Sequence, residues 1–228
     1  MPETAFEVAP TLPAVRVRRP TIEPGLRADV LVTRRGRLRI APLLAAMTRE
    51  IAPGAAPAVR RHTGLDIVCL VLGGALRYEP VRGAATTLWA EQVAVLSTGA
   101  GVEYGWRAIG DTPAHVVMLW LLGRGDGTPK IDVRAASRFE RLGTLAPIAG
   151  RASALPTSGN VTVMAGVLPV GASLVHAARG KRYVMSTIGA FAADGIAANA
   201  GDGVLIDRTG AIRISAKEST EVVIVEPT

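Results

Sequence analysis

The chain has 228 residues, of which 49% are hydrophobic and 20% charged, and this composition excludes wholesale disorder. Its formal charge of +7 favours acidic partners by long-range attraction, but the arginines are scattered and no nucleic-acid recognition motif accompanies them. The sequence therefore predicts no specific nucleic-acid site, and its single cysteine, Cys69, excludes an internal disulfide.

No apolar stretch reaches the ~18 residues that a membrane-spanning helix needs. Residues 1–13 contain acidic side chains and prolines and lack the apolar core of a signal peptide. We therefore expect a soluble, cytoplasmic protein with no membrane partner. The sequence leaves its oligomeric state open.

The N-terminal residues 1–28 contain five prolines and no sustained periodicity, which predicts an extended arm. From residue 29 onward, short apolar segments recur between turns. These segments lie at 30–32, 38–40, 44–51, 67–72 and 115–122. Short strands separated by glycine and proline turns are typical of an all-β fold, so we predict a first β-barrel over residues 29–122.

The Gly/Pro-rich stretch at 123–130 marks a boundary, and we assign residues 123–137 to a linker. Residues 138–228 then repeat the pattern of the first half. Their predicted strands lie at 161–168, 183–188, 203–206, 211–214 and 221–225. Regular short strands in both halves predict two stacked β-barrels or jelly rolls.

Several short sequence motifs occur along the chain in the order that is typical of one known protein family. They are Ala52-Pro53-Gly54, Gly64, the turn Ser97-Thr98-Gly99-Ala100-Gly101, His115 with Trp120, Gly127-Thr128-Pro129, Gly201-Asp202-Gly203 and the final strand Glu221-Val222-Val223-Ile224-Val225. The sequence resembles the pirin family of bicupins, which have two cupin barrels in tandem. The resemblance covers residues 44–226, whereas the first 43 residues lack the family's usual opening.

The resemblance implies a divalent metal, often iron, held in the first barrel by three histidines and one glutamate. The four matching positions here are Arg60, His62, Tyr104 and Trp106, so only His62 keeps a ligand type. Arginine stays protonated, and tryptophan offers no lone pair to a metal. We therefore expect no cofactor; the alternative is one divalent metal such as iron at His62.

A substitute ligand set of His62, Asp66, Glu103 and Tyr104 fails on strand geometry. Glu103 and Tyr104 are neighbours in a strand and so face opposite sides of the sheet. In the second barrel, His176 has no His-x-His partner, so the resemblance implies a structural role for that barrel. His115 matches a structural landmark of the family.

The remaining side chains suit acid–base chemistry on a small molecule. We predict His62, Arg60 and Tyr104 as catalytic residues: an imidazole that exchanges protons near neutral pH, a fixed positive charge for an anion and a phenol donor. Trp106, Asp66 and Met118 are predicted to bind the substrate.

Each of these roles has a structural alternative. Arg60 either lines the pocket or points to solvent beside Arg61, and His62 is either functional or a hydrogen-bonded relic. Tyr104 and Trp106 equally suit plain core filling of a vacated metal cavity. Asp66 has the alternative of bonding a turn.

Three functions follow as hypotheses. The first is a metal-independent isomerase, cyclase or lyase that acts on an anionic or enolisable, aromatic or polyketide-like molecule. The second, implied by the resemblance, is a metal-dependent quercetin 2,3-dioxygenase. The third is a non-enzymatic ligand sensor or transcription cofactor, as some members of the family are.

Overall fold

A computed structural model describes residues 15–18, 21–23, 26–29, 41–178, 180–207 and 209–228. Every regular element in these ranges is a β-strand, which confirms the predicted all-β class. No helix in the described residues is long and apolar enough to cross a membrane. The predicted segments at 30–32 and 38–40 lie outside the described residues.

The first barrel is built from two antiparallel sheets. Its strands are β2 (Thr21–Glu23), β3 (Leu26–Asp29), β4 (Leu43–Ile51), β5 (Arg60–His62), β6 (Leu65–Gly73), β7 (Ala75–Pro80), β8 (Thr86–Trp89), β9 (Gln92–Ser97), β10 (Val102–Ala108), β11 (Ala114–Leu122) and β12 (Lys130–Ala135). The larger sheet has the order β12-β9-β6-β11-β4-β3-β2 and the smaller one β5-β10-β7-β8. Met47, Leu76, Leu88 and Met118 pack between the two sheets.

The second barrel repeats this arrangement. Its strands are β1 (Val15–Arg18), β13 (Ala146–Gly150), β14 (Val161–Leu168), β15 (Ser173–Ala178), β16 (Arg182–Ile188), β17 (Phe191–Ala193), β18 (Ile196–Ala198), β19 (Gly203–Ile206), β20 (Gly210–Ala216) and β21 (Thr220–Pro227). The sheet orders are β1-β19-β16-β21-β14-β13 and β15-β20-β17-β18. Phe191, Val184, Ile214 and Val222 belong to the core between them.

The two large sheets also pack against each other. Their shared core contains Val68 and Leu119 from the first barrel and Val163, Tyr183 and Val223 from the second. A strand in such a sheet is buried on both faces and therefore has a continuous apolar sequence rather than an alternating one. The uninterrupted apolar run that the sequence shows at 67–72 has this cause.

Two segments differ from the sequence-based boundaries. The predicted linker at 123–137 contains β12, which pairs with β9 at the edge of the first barrel's large sheet. In the predicted arm at 1–28, β1 pairs with β19 of the second barrel, whereas β2 and β3 form a hairpin beside β4 of the first. The N-terminal segment therefore contributes strands to both barrels.

Candidate functional site

A cavity of about 210 Å³ lies inside the first barrel, between β4, β5, β10 and β11 and the loop at 52–58. Five of the six predicted site residues line it, namely Arg60, His62, Tyr104, Trp106 and Met118. Alternate residues of a strand share a face, so Arg60 with His62 and Tyr104 with Trp106 are brought to one cavity by period two. Met118 is buried, and Arg60 is exposed at the rim.

The loop at 52–58 is positioned by a glycine in β10. A Cβ atom added at Gly105 would lie 2.5 Å from Cβ of Pro57, so any larger residue would push the loop away from the strand. Four alanines of this loop line the cavity, and their small side chains leave room for a ligand at its mouth; they are Ala52, Ala55, Ala56 and Ala58.

The sixth predicted residue, Asp66, does not reach the cavity, and its assignment to substrate binding is wrong. Asp66 is 1% exposed, and its Oδ2 accepts a hydrogen bond from the backbone N–H of Ser158 in the second half of the chain. The physical reason is strand parity: Ile67, Cys69 and Val71 of β6 face the inside of the barrel, so Asp66 faces the second barrel.

The inner polar pair of the cavity is His62 with Tyr104. The Tyr104 hydroxyl oxygen lies 3.0 Å from Nδ1 of His62. Burial, helped by the positive charge of Arg60, lowers the pKa of His62, so the imidazole is neutral at neutral pH. Burial raises the pKa of Tyr104 far above its usual value, and hydrogen bonding by the Trp106 side chain opposes only part of that rise.

Aromatic rings surround this pair. The Trp120 ring lies edge-on to His62 with 4.9 Å between ring centroids, and Trp106 lies edge-on to Tyr104 at 5.8 Å. Tyr78 packs behind both, with its centroid 5.4 Å from those of Tyr104 and Trp106. Because Trp106 and Trp120 are half-buried and line the cavity, they offer flat apolar surfaces to a planar ligand.

Sequence reasoning missed Arg49, a second cation in the cavity. Arg49 is half-buried, and its Nε atom is buried without a hydrogen-bond partner among the described residues. Burial lowers the pKa of Arg49, and the charge of Arg60 lowers it further. The alternation of side chains along β4 would have identified it. Arg49 follows Ala45 and Met47 at period two, and these two residues face the barrel interior.

The other singled-out polar residues lie elsewhere. Glu103 is exposed, as its opposite parity to Tyr104 predicts, so the substitute ligand set is not brought together. His115 is exposed, and its Nδ1 lies 3.7 Å from Oε2 of Glu50. In the second barrel, Nε2 of His176 lies 2.8 Å from Oε2 of Glu226.

Comparison with known proteins agrees with this architecture. Residues 144–226 match the family model of the quercetinase C-terminal cupin domain. The chain is also 25% identical over 184 residues to a pirin-like protein of Caulobacter vibrioides, covering 78% of this chain and 79% of that protein. These findings support a pirin-family cupin.

Solved structures show the same fold. The bacterial pirin YhhW of Escherichia coli, solved in complex with nickel(II), has a TM-score of 0.78 at 17% identity and covers 93% of this chain and 98% of its own. A quercetin 2,3-dioxygenase of Acinetobacter baumannii has a TM-score of 0.80 at 16% identity, covering 93% of this chain and 85% of its own. At these identities the likeness establishes the two-barrel fold.

The side chains of this pirin-family cavity do not fit a divalent metal. No group of three or more His, Cys, Asp or Glu side chains in the described part of the chain is placed to hold a metal ion. The cavity instead has one imidazole, already paired through Nδ1, beside the guanidinium groups of Arg49 and Arg60. Guanidinium groups only donate hydrogen bonds and repel cations.

Proposed function

We propose that the first barrel is the site of a metal-independent acid–base enzyme for a compact, planar, anionic or enolisable small molecule. The reaction class is that of an isomerase, cyclase or lyase. One observation supports this most strongly: a His62–Tyr104 pair, 3.0 Å apart, lines a cavity that also contains Arg49 and Arg60. A proton-exchanging group beside fixed positive charge is what enolate or phenolate chemistry requires.

The proposed roles follow from the protonation states. A neutral imidazole takes a proton from an acidic C–H of the substrate, and the resulting imidazolium returns it at another carbon, so an isomerisation needs no co-reactant. In the tautomer that this role requires, Nδ1–H of His62 donates to the Tyr104 hydroxyl oxygen, which leaves the lone pair of Nε2 free to take the proton. Arg49 and Arg60 stabilise the negative charge that develops on the substrate oxygen. Tyr104 holds the imidazole in place through its hydroxyl group.

The size of the cavity supports a compact substrate. Its volume of about 210 Å³ is below the ~300–1,000 Å³ of pockets that enclose drug-sized ligands. A single planar ring or a short chain with one charged group fits this space. The tryptophan side chains favour a flat ligand, and the arginines favour a negatively charged one.

A second candidate function is quercetin 2,3-dioxygenase activity. It is supported by the match of residues 144–226 to a quercetinase cupin domain and by the structural likeness to the Acinetobacter enzyme. This function requires a metal in the first barrel, as the family resemblance implies. The ligand chemistry of the cavity favours the first proposal.

An assay that does not depend on knowing the substrate tests the proposal. Chelator-treated protein is incubated in D₂O with a panel of enolisable keto acids and small aromatic acids, and deuterium incorporation is followed by NMR. We expect incorporation into at least one member, and a loss of ~10²–10⁴-fold in rate for His62→Gln. Incorporation that His62→Gln leaves unchanged would refute the assignment of His62. Oxygen consumption with quercetin that depends on added metal would favour the second candidate.

A further inference from the structure

Arg49 is held in a costly position. Its Nε atom is buried and lacks a hydrogen-bond partner in the described residues. A buried polar atom without a partner costs the desolvation of that group, and the cost is larger for a charged group, so the position needs an explanation. The guanidinium lines the first-barrel cavity, where a ligand would meet it.

The charges around Arg49 increase this cost. Arg60 repels it, and neither arginine has a carboxylate within 4 Å in the described part of the chain. Glu50 also borders the cavity, but its carboxylate lies near His115. The Cys69 thiol is neutral at physiological pH, because burial raises its pKa to about 12. The cavity thus concentrates positive charge without a counter-ion from the described protein.

We propose that Arg49 is the anchor for a carboxylate group of the ligand, and that the substrate class is a compact planar carboxylic acid. This inference rests on the proposed function, because it specifies what the same cavity binds. A guanidinium binds a carboxylate with two parallel N–H···O hydrogen bonds, and a bound carboxylate neutralises one of the two positive charges of the cavity.

The rest of the cavity matches such a ligand. With the carboxylate on Arg49, the planar body of the ligand lies among the rings of Trp106 and Trp120. The exposed Arg60 at the rim attracts the acid into the cavity and stabilises developing charge. Arg49 thus fixes the position of the ligand, and His62 acts on it.

Paired probes test the carboxylate anchor directly. Benzoate and its neutral isostere benzamide are titrated against the protein by isothermal calorimetry, and quenching of tryptophan fluorescence is followed in a Trp89→Phe background. Trp89 is 58% exposed and outside the cavity, so its removal leaves the signals of Trp106 and Trp120. We expect benzoate to bind about tenfold to hundredfold more tightly than benzamide.

Two arginine variants supply the matched comparison. Arg49→Met should weaken benzoate binding by about tenfold to hundredfold. Arg61→Met removes the same charge from the strand neighbour of Arg60, but Arg61 is exposed and outside this cavity, so benzoate binding should change by less than about twofold. Arg49→Met should also raise the melting temperature of the ligand-free protein, because it removes the repulsion between Arg49 and Arg60 and the buried Nε–H that has no partner among the described residues.

Three results would each overturn the proposal. Equal binding of benzoate and benzamide, no benzoate binding at millimolar concentration, or equal losses in Arg49→Met and Arg61→Met would each refute the anchor. If Arg49→Met fails to fold, Arg49→Lys keeps the charge without the planar fork and should still weaken benzoate binding.

The carboxylate anchor and the proposed enzyme can also fail separately. Arg49-dependent benzoate binding without any proton exchange on the substrate panel would remove the proposed enzyme and leave the anchor. Proton exchange that depends on His62, with no Arg49-dependent binding, would leave the proposed enzyme and remove the anchor.

Discussion

The hydroxyl oxygen of Tyr104 lies 3.0 Å from Nδ1 of His62 in the first barrel of this pirin-family cupin. The two residues stand at positions where the family resemblance implies metal ligands. Here they bind each other. A phenol whose pKa is raised by burial stays protonated, and an imidazole whose pKa is lowered stays neutral. The pair is therefore a unit of two neutral groups joined by a hydrogen bond.

The first prediction separates the two partners of this unit. His62→Gln should reduce turnover of the true substrate by ~10²–10⁴-fold, because it removes the group that exchanges the proton. Tyr104→Phe keeps the ring and removes only the hydroxyl, so it should cause a smaller loss and shift the pH–rate profile. Steady-state kinetics across a pH series measures both. Identical profiles for wild type and Tyr104→Phe would show that the hydrogen bond has no catalytic role.

The second prediction concerns stability and pH. Burial, and then the charge of Arg60, lowers the pKa of His62 in the folded state below its unfolded value of 6.5. The unfolded state therefore binds more protons between the two values, and the free energy of unfolding falls as the pH drops below about 6.5. The groups that act on His62 are the Arg60 guanidinium and the Tyr104 hydroxyl.

Urea denaturation from pH 7.5 down to about pH 5 measures this effect. This range lies within the interval of about pH 5–8 in which proteins are usually most stable. The wild-type midpoint should fall more steeply than that of His62→Gln, which lacks the titrating group. Parallel slopes for the two proteins would mean that burial and Arg60 do not shift the His62 pKa as described.

The sequence predicted the cavity residues on β5 and β10 well, because a period of two places alternate side chains on one face. It could not predict which side Asp66 faces, since its partner Ser158 is 92 residues away and only the packing of the barrels brings them together. Arg49 was missed for a different reason. A single arginine at the end of an apolar strand is ordinarily solvated, and only the closed barrel shows that its Nε is buried.

The third prediction concerns metal content. Protein purified without added metal should contain much less than one iron, nickel, copper, cobalt or manganese ion per chain, because two guanidinium groups share the cavity with His62, the one histidine among its described lining residues. Elemental analysis measures the content, and thermal unfolding with and without a chelator checks its effect. One bound ion per chain, with a melting temperature that the chelator lowers, would contradict the prediction and favour the dioxygenase candidate.

The fourth prediction tests the structural role of Asp66, whose carboxylate accepts a hydrogen bond from the backbone N–H of Ser158. Asp66→Ala should destabilise the protein by about 0.5–1.5 kcal/mol, since it removes the acceptor of the Ser158 backbone N–H. Asp66→Asn keeps an acceptor oxygen and should cost less. Chemical denaturation measures both variants, and benzoate titration is the second readout. Because Asp66 faces away from the cavity, a selective loss of ligand binding at unchanged stability would restore the substrate-binding role.

The fifth prediction concerns a buried ion pair where the inter-barrel segment meets the second barrel. Arg141 and Glu221 are each 2% exposed and form a salt bridge, and Nε of Arg141 also donates to the backbone oxygen of Ala136 at 3.1 Å. Glu221→Ala leaves the buried charge of Arg141 uncompensated and should cost about 3–5 kcal/mol. Arg141→Ala leaves the buried carboxylate with only the partly exposed Arg138 and should cost less.

Two further variants distinguish the cost of a stranded charge from the value of the pair itself. The double substitution of Arg141→Met with Glu221→Leu should be less destabilised than either single alanine variant, because neither charge is then left buried alone. Arg138 contacts the same carboxylate at 3.0 Å but is 42% exposed, so Arg138→Ala should cost only about 0–1 kcal/mol. Urea denaturation of the four variants gives the comparison. An Arg138→Ala variant as unstable as Arg141→Ala would mean that burial does not set the strength of these contacts.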